Sequence, residues 1–213
     1  AMQFAGEIVD KMPMEERLTL TNMTTEAGAK NGIIEPDEIT FEYLKTRTDK
    51  QFLPVKGDKN AEYIDIFNYD IDSLDPIIAK PYSPENICVV GDIEGTEINK
   101  AYIGSCTGAK LEDLRMAAMI LKGKKVKIRT EVLPAAQSIY LKAINEGLVN
   151  IFMEAGAVVG PPTCGACCGA HMGVLAKNEI CISTTNRNFP GRMGDVESQT
   201  YLASPLVVAA AAV

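Results

Sequence analysis

Three cysteines crowd into five positions at Cys164-Gly165-Ala166-Cys167-Cys168, in a loop with glycine also at 160, 169 and 173. Two thiolates at C-x-x-C spacing can hold one metal centre, and glycines let the backbone approach a bulky inorganic group. Taken alone, the pair fits a metal site, a redox dithiol or buried structural thiols. A thioredoxin-type dithiol opens a helix near the start of a βαβ unit, whereas this pair follows Pro161-Pro162 late in the chain. A four-cysteine zinc site needs a second pair, which the sequence lacks. Cys106 together with Cys164 and Cys167 leaves one coordination position open. An iron–sulfur cluster with an open iron is a Lewis acid as well as an electron carrier.

Asn186-Arg187 and Arg192 lie in a second polar loop, with Gly191 beside the second arginine. Two guanidinium forks near a metal suit a substrate bearing carboxylates, which they grip bidentately; two surface arginines in a loop is the plainer alternative. Asn22 and Glu26 stand one helical turn apart, which by itself describes a solvated face with Asn22 as a cap. His171 is the single histidine, so Ser-His or Cys-His hydrolysis and His-rich zinc catalysis would all have to run through it. Its glycine-rich loop predicts a hydrogen bond to nearby backbone instead. Met116, Met119 and Leu121 are expected in the core.

Strand–helix alternation after about residue 97 is what would gather these groups. Ala101–Ser105 is a predicted strand, Leu111–Lys122 a helix with Leu111, Leu114, Ala118 and Leu121 on one face, and Val126–Val132 a strand. A helix runs from Pro134 to Asn145, another over 147–155, and strands over Ala157–Val159 and Glu179–Thr184. Such spacing means βαβ units and a mostly parallel sheet covered on both faces. Ligands collect beyond the carboxyl ends of such strands. Cys106, Cys164 and the Thr185–Arg187 stretch each follow a strand and should meet at that edge.

The first part is more mixed. Helices are predicted over Met2–Lys11 (Met2, Ala5, Ile8 and Val9 at helical spacing), over Met14–Ala29, and from Pro36 at a first helical position to Thr46. The alternation of Tyr63, Phe67, Tyr69 and Ile71 predicts a strand. Pro76, Pro81 and Pro84 then suggest a linker, and the domains are placed at 1–85 and 86–213.

Composition narrows the classes. With 46% hydrophobic and 23% charged residues the chain is an ordinary globular one, not disordered or collagen-like. A net charge of −7 argues against nucleic acid as the main partner. Six cysteines in 213 residues are too few for a disulfide scaffold. No apolar run reaches membrane-spanning length, so a cytoplasmic protein without a membrane partner is the expectation. The uncapped start and apolar finish suggest a piece of a longer chain.

GSCTGAKLEDLR at 104–115, GPPTCGACCG at 160–169, STTNRNFPGRMG at 183–194, YLASPLVVAA at 201–210 and TNMTTEAGAKNGIIEPDE at 21–38 together resemble the aconitase superfamily. The likeness is greatest to its branch of isopropylmalate dehydratase and homoaconitase large subunits. It implies an α/β fold of aconitase-like three-layer α/β/α units with mostly parallel sheets. Residues 1–85 would be the end of a domain like the family's second, and 86–213 a domain like its third. The resemblance further implies a [4Fe-4S] cluster on Cys106, Cys164 and Cys167, with a fourth iron free for substrate. It implies that Asn186 lies near the cluster, that Arg187 and Arg192 bind substrate carboxylates, and that Asn22 and Glu26 stand beside the reacting hydroxyl. The implied reaction is dehydration and rehydration of a hydroxy-diacid, as in leucine biosynthesis. Homoaconitate, citrate and dimethylmalate are the alternative substrates, and a structural or sensing iron–sulfur protein the alternative role. The implied partner is a small subunit carrying the mobile domain, in a heterodimer or heterotetramer, and the chain alone is expected to be inactive. Two departures stand out: Gly108, where many relatives have asparagine, and Cys168, where relatives often carry an apolar residue.

Overall fold

Residues 1–213 are described by a computed structural model, in which they form two units, Ala1–Leu74 and Asp75–Val213. The first begins with β1 (Met2–Phe4), α1 (Glu7–Lys11) and α2 (Met14–Asn22), followed by β2 (Gly32–Ile34) and α3 (Glu38–Lys45). β1 and β2 pair in parallel, Met2 opposite Gly32. The helix expected from Met2 is therefore a strand and a short helix, separated at Gly6, whose φ of 111° no helix allows. The helix expected to reach Ala29 stops at Asn22. There the Thr21 hydroxyl donates to Arg17 O (2.9 Å) and the Thr24 hydroxyl to Thr21 O (2.8 Å), local bonds that compete with helix propagation. α3 starts later than expected because Asp37, not a residue ahead of Pro36, is its cap, accepting from Thr40 N at 3.1 Å. The strand expected around Tyr63–Ile71 does not form. Tyr63, Phe67, Tyr69 and Ile71 are all exposed, and a lone strand without a pairing neighbour is not stable.

A buried Arg17 ties this unit together. Its Nη1 and Nη2 each lie 2.7 Å from an oxygen of Asp37, while its Nε donates to Met12 O at 2.9 Å. The Arg17 fork, ahead of the Thr40 bonds, holds the Asp37 carboxyl down to about 2. The folded pKa lies below the unfolded one, so this contribution is complete above the ordinary carboxylate range. It is lost as pH falls through about 2. The denaturation midpoint should therefore drop between about pH 4 and pH 2, and Asp37→Asn should lower it at neutral pH while flattening that acid limb. An unchanged acid limb in the variant would remove Asp37 as its source.

The second unit contains β3 (Ile77–Ala79), β4 (Ile87–Val89), β5 (Lys100–Ile103), the short α4 (Ser105–Gly108) and α5 (Leu111–Leu121). It continues through β6 (Arg129–Val132), α6 (Gln137–Asn145), α7 (Leu148–Ala155), β7 (Val158–Val159), β8 (Ile180–Ser183), β9 (Gln199–Leu202) and α8 (Pro205–Ala211). Seven strands form one sheet in the order β4-β3-β9-β8-β5-β6-β7. Strands β5 to β9 run parallel, and β3 pairs antiparallel with both β4 and β9. Of the prolines expected to mark a linker, Pro76 stands just before β3 and Pro81 and Pro84 lie between β3 and β4, while the two units divide at Leu74–Asp75.

Alternation along β5 separates two cores. Ala101 and Ile103 face the helices, where Leu114, Ala117, Leu121, Phe152 and Val208 are buried with them. The expected face of α5 is buried throughout, but Met119 is 67% exposed and Met116 only half-buried, because they lie on its outer side. Tyr102 faces the opposite way, into a smaller core with Leu133, Cys167, Leu175, Cys181 and Met193. That face is covered by the loops following β7 and β8. No helix is long and apolar enough to cross a membrane.

Candidate functional site

Because β5, β7 and β8 are parallel, the chain leaves all three at the same edge. The turn after β5 carries Cys106, the loop after β7 carries Cys164 and Cys167, and the segment after β8 carries Asn186, Arg187 and Arg192. This is the gathering that the strand–helix alternation predicts.

The Cys106 turn is tightly latched. Ser105 takes φ = 78°, a left-handed conformation uncommon outside glycine. Its hydroxyl lies 2.7 Å from that of Thr107 and accepts from Thr107 N at 3.2 Å. Thr184, at the end of β8, accepts from Gly104 N and donates to Gly104 O, both at 2.9 Å, and its own carbonyl accepts from Thr107 Oγ1 at 3.2 Å. A side chain at position 108 would run into Thr184, which accounts for Gly108 on this backbone.

Cys164 caps a single 3-10 turn, Gly165–Cys168, that contains Cys167, and Cys167 N donates to Cys164 O at 2.9 Å. Cys106, Cys164 and Cys168 are exposed, and Cys167 is buried. Burial chiefly pushes the Cys167 thiol up; the Arg192 guanidinium beside it pulls the other way, and the Cys106 and Cys164 thiols add to the rise. The Cys168 thiol donates weakly to Gly165 O at 3.7 Å. His171 bonds the Thr163 hydroxyl at 3.0 Å, a side chain rather than the expected backbone.

Asn186 is buried, while Arg187 and Arg192 are half-buried. The Nε of Arg192 is buried without a hydrogen-bond partner, a cost normally avoided unless something else satisfies the group. Asn22 and Glu26 belong to the first unit. Asn22 ends α2 and is exposed; Glu26 is half-buried in the turns beyond it, so the two do not share a continuous helical face.

No three His, Cys, Asp or Glu side chains converge as the ligands of a single ion do. One tetrahedral metal needs each sulfur about 2.3 Å from a common centre. A four-iron cluster spreads its thiolates over separate irons, so its ligands need only surround a shared space. Thiols carried to one sheet edge at Cys106, Cys164 and Cys167, with glycines beside them in the loop, are the donor type such a cluster takes.

Sequence reasoning overlooked Lys100 and Tyr102. Tyr102 Oη donates to Cys164 O at 2.9 Å, and Lys100 Nζ donates to Gly173 O. A lysine and a tyrosine at alternate positions of an otherwise apolar strand were the available signal.

Over residues 1–213 the chain matches the model of the aconitase family (aconitate hydratase). It is 52% identical over 215 residues to the 3-isopropylmalate dehydratase large subunit of Hydrogenobaculum sp. (strain Y04AAS1). It is 50% identical over 216 residues to the 3-isopropylmalate dehydratase large subunit 1 of Pyrococcus furiosus, and 50% over 215 residues to the large subunit of Thermodesulfovibrio yellowstonii. Each comparison covers 100% of this chain and 51% of the relative. The chain spans about half the length of the curated relatives it matches.

Proposed function

The chain belongs to the aconitase family, and on that premise we propose that it serves as the large subunit of a [4Fe-4S] hydro-lyase that isomerises 3-isopropylmalate by dehydration and rehydration. The observation that supports this reading is that parallel strands deliver the segments bearing Cys106, Cys164, Cys167 and Arg192 to one carboxyl edge of the sheet. The substrate and the need for a small subunit are inferred from the relatives, which are 3-isopropylmalate dehydratase large subunits.

Cys106, Cys164 and Cys167 would hold the cluster, which when bound supplies a Lewis acid at its thiolate-free iron. Arg187 and Arg192 grip substrate carboxylates, each through a planar fork that fixes orientation as well as charge. Asn186, on the same segment, orients the substrate by hydrogen bonding. Asn22 and Glu26 serve the reacting hydroxyl and its neighbouring proton, Glu26 being the carboxylate able to exchange one. None of these roles falls to His171.

The test is the full-length subunit with its small-subunit partner, reconstituted anaerobically and offered isopropylmalate, homoaconitate, citrate and dimethylmalate. Absorbance of the unsaturated intermediate should appear with isopropylmalate at the highest kcat/KM. A preference for another diacid would correct the substrate, and no turnover of any by an iron-loaded enzyme would overturn the hydro-lyase reading.

A further inference from the structure

We propose that Lys100 and Tyr102 are positioning residues that strap the cysteine loop at its two ends and so hold the Cys164–Cys167 pair for its cluster; this rests on the cluster-bearing site proposed above. Residues 100 and 102 share one face of β5, opposite Ala101 and Ile103. Both are fully buried, and both end on a loop carbonyl: Tyr102 Oη on Cys164 O at 2.9 Å, Lys100 Nζ on Gly173 O. The Cys164 carbonyl also accepts from Cys167 N at 2.9 Å. One oxygen therefore fixes the peptide after the first thiol and the peptide before the second, and with them the spacing of the pair.

A buried ammonium is costly unless it is paired and hydrogen-bonded. Lys100 meets both conditions, paired with Glu131 Oε2 at 2.7 Å and hydrogen-bonded to Gly173 O, and its ammonium lies 5.4 Å from the Tyr102 ring centroid. Glu131 stands directly across the β5–β6 ladder from Tyr102, so lysine, tyrosine and carboxylate occupy one patch beneath the loop. The loop is shaped to fit them. At Gly173 (φ = 83°) a Cβ would strike Glu131 and Lys100; at Gly165 it would stand 2.7 Å from the Tyr102 hydroxyl; at Gly104 it would enter the Tyr102 ring.

Four forms of the full-length subunit decide the matter: wild type, Tyr102→Phe, Lys100→Met combined with Glu131→Gln so that no carboxylate is left unpaired, and Thr130→Val. Thr130→Val is the control, losing one part-buried hydrogen bond (to Ile128 O, 3.0 Å) in the same sheet and none to the loop. Two rates are read: iron loss to a chelator after anaerobic reconstitution, and amide hydrogen exchange of residues 164–173 in the apoprotein. Tyr102→Phe should raise both by about 2- to 10-fold, the equivalent of roughly 0.4–1.4 kcal/mol. The lysine variant should move both the same way, and Thr130→Val should move neither. Tyr102→Phe matching wild type in loop exchange, or loosening the loop without hastening iron loss, overturns the proposal. If wild type itself takes up no iron or sulfide, it is the cluster reading that fails. Loop exchange then decides the straps alone, faster exchange upholding them and unchanged exchange refuting them.

Discussion

Replacing Cys106, Cys164 or Cys167 by alanine should leave the full-length subunit unable to keep a cluster. A three-thiolate set that already has an open corner has no spare ligand. Loss of an outer-shell partner alone typically costs about 10- to 100-fold in metal affinity, so loss of a ligand should hasten iron loss by at least about 100-fold. Cys168→Ala should instead retain iron and sulfide. Its thiol is exposed and donates only to Gly165 O, at 3.7 Å. Removing an exposed thiol beside the site should also slow cluster loss in air. The measurement is iron and sulfide per chain after anaerobic reconstitution of all four variants, then their decay. Should Cys168→Ala lose the cluster while Cys167→Ala keeps it, the spacing is C-x-x-x-C, and the turn in which Cys167 N bonds Cys164 O must rearrange on loading.

The second unit was far more legible than the first, for physical reasons. Strands such as Lys100–Ile103 and Ile180–Ser183 are buried runs bounded by glycine or polar turns, and Leu111–Leu121 has a face whose burial matches its 3.6-residue period. Parallel pairing then delivers Cys106, Cys164 and Asn186 to one edge without further information. In the first unit, short elements are decided by single residues: Gly6 turns a helical pattern into strand and helix, and the Thr21 and Thr24 hydroxyls end α2. Alternation at Tyr63–Ile71 lacked the neighbour that makes a strand. The contacts of Lys100 and Tyr102 were illegible because their partners, Gly173 O and Cys164 O, are backbone atoms distant in sequence. Neither hydropathy nor motif spacing registers a carbonyl.

Arg187→Lys should cut kcat/KM for isopropylmalate by about 10- to 100-fold while leaving iron and sulfide content near wild type. The substitution keeps the positive charge, so long-range attraction of a diacid survives; what disappears is the planar fork that fixes a carboxylate bidentately. A hydrogen bond to a charged group is worth about 1.5–3 kcal/mol, and each 1.36 kcal/mol is tenfold in rate. The backbone around position 187 is also held through its neighbours. On one side Thr185 N donates to Ser183 Oγ at 3.1 Å; on the other, Asn188 Nδ2 donates to Lys80 O at 2.8 Å and to Thr200 O at 3.0 Å. The segment should therefore keep its path in the variant, and with it Asn186 and Arg192. Iron content and activity are the paired readouts because they separate two roles. Activity lost with the cluster intact assigns Arg187 to the substrate. Iron and sulfide lost in step with activity would make Arg187 a support of the cluster loop, and unchanged kcat/KM would remove it from the site, leaving Arg192, already against Cys167, to hold the diacid.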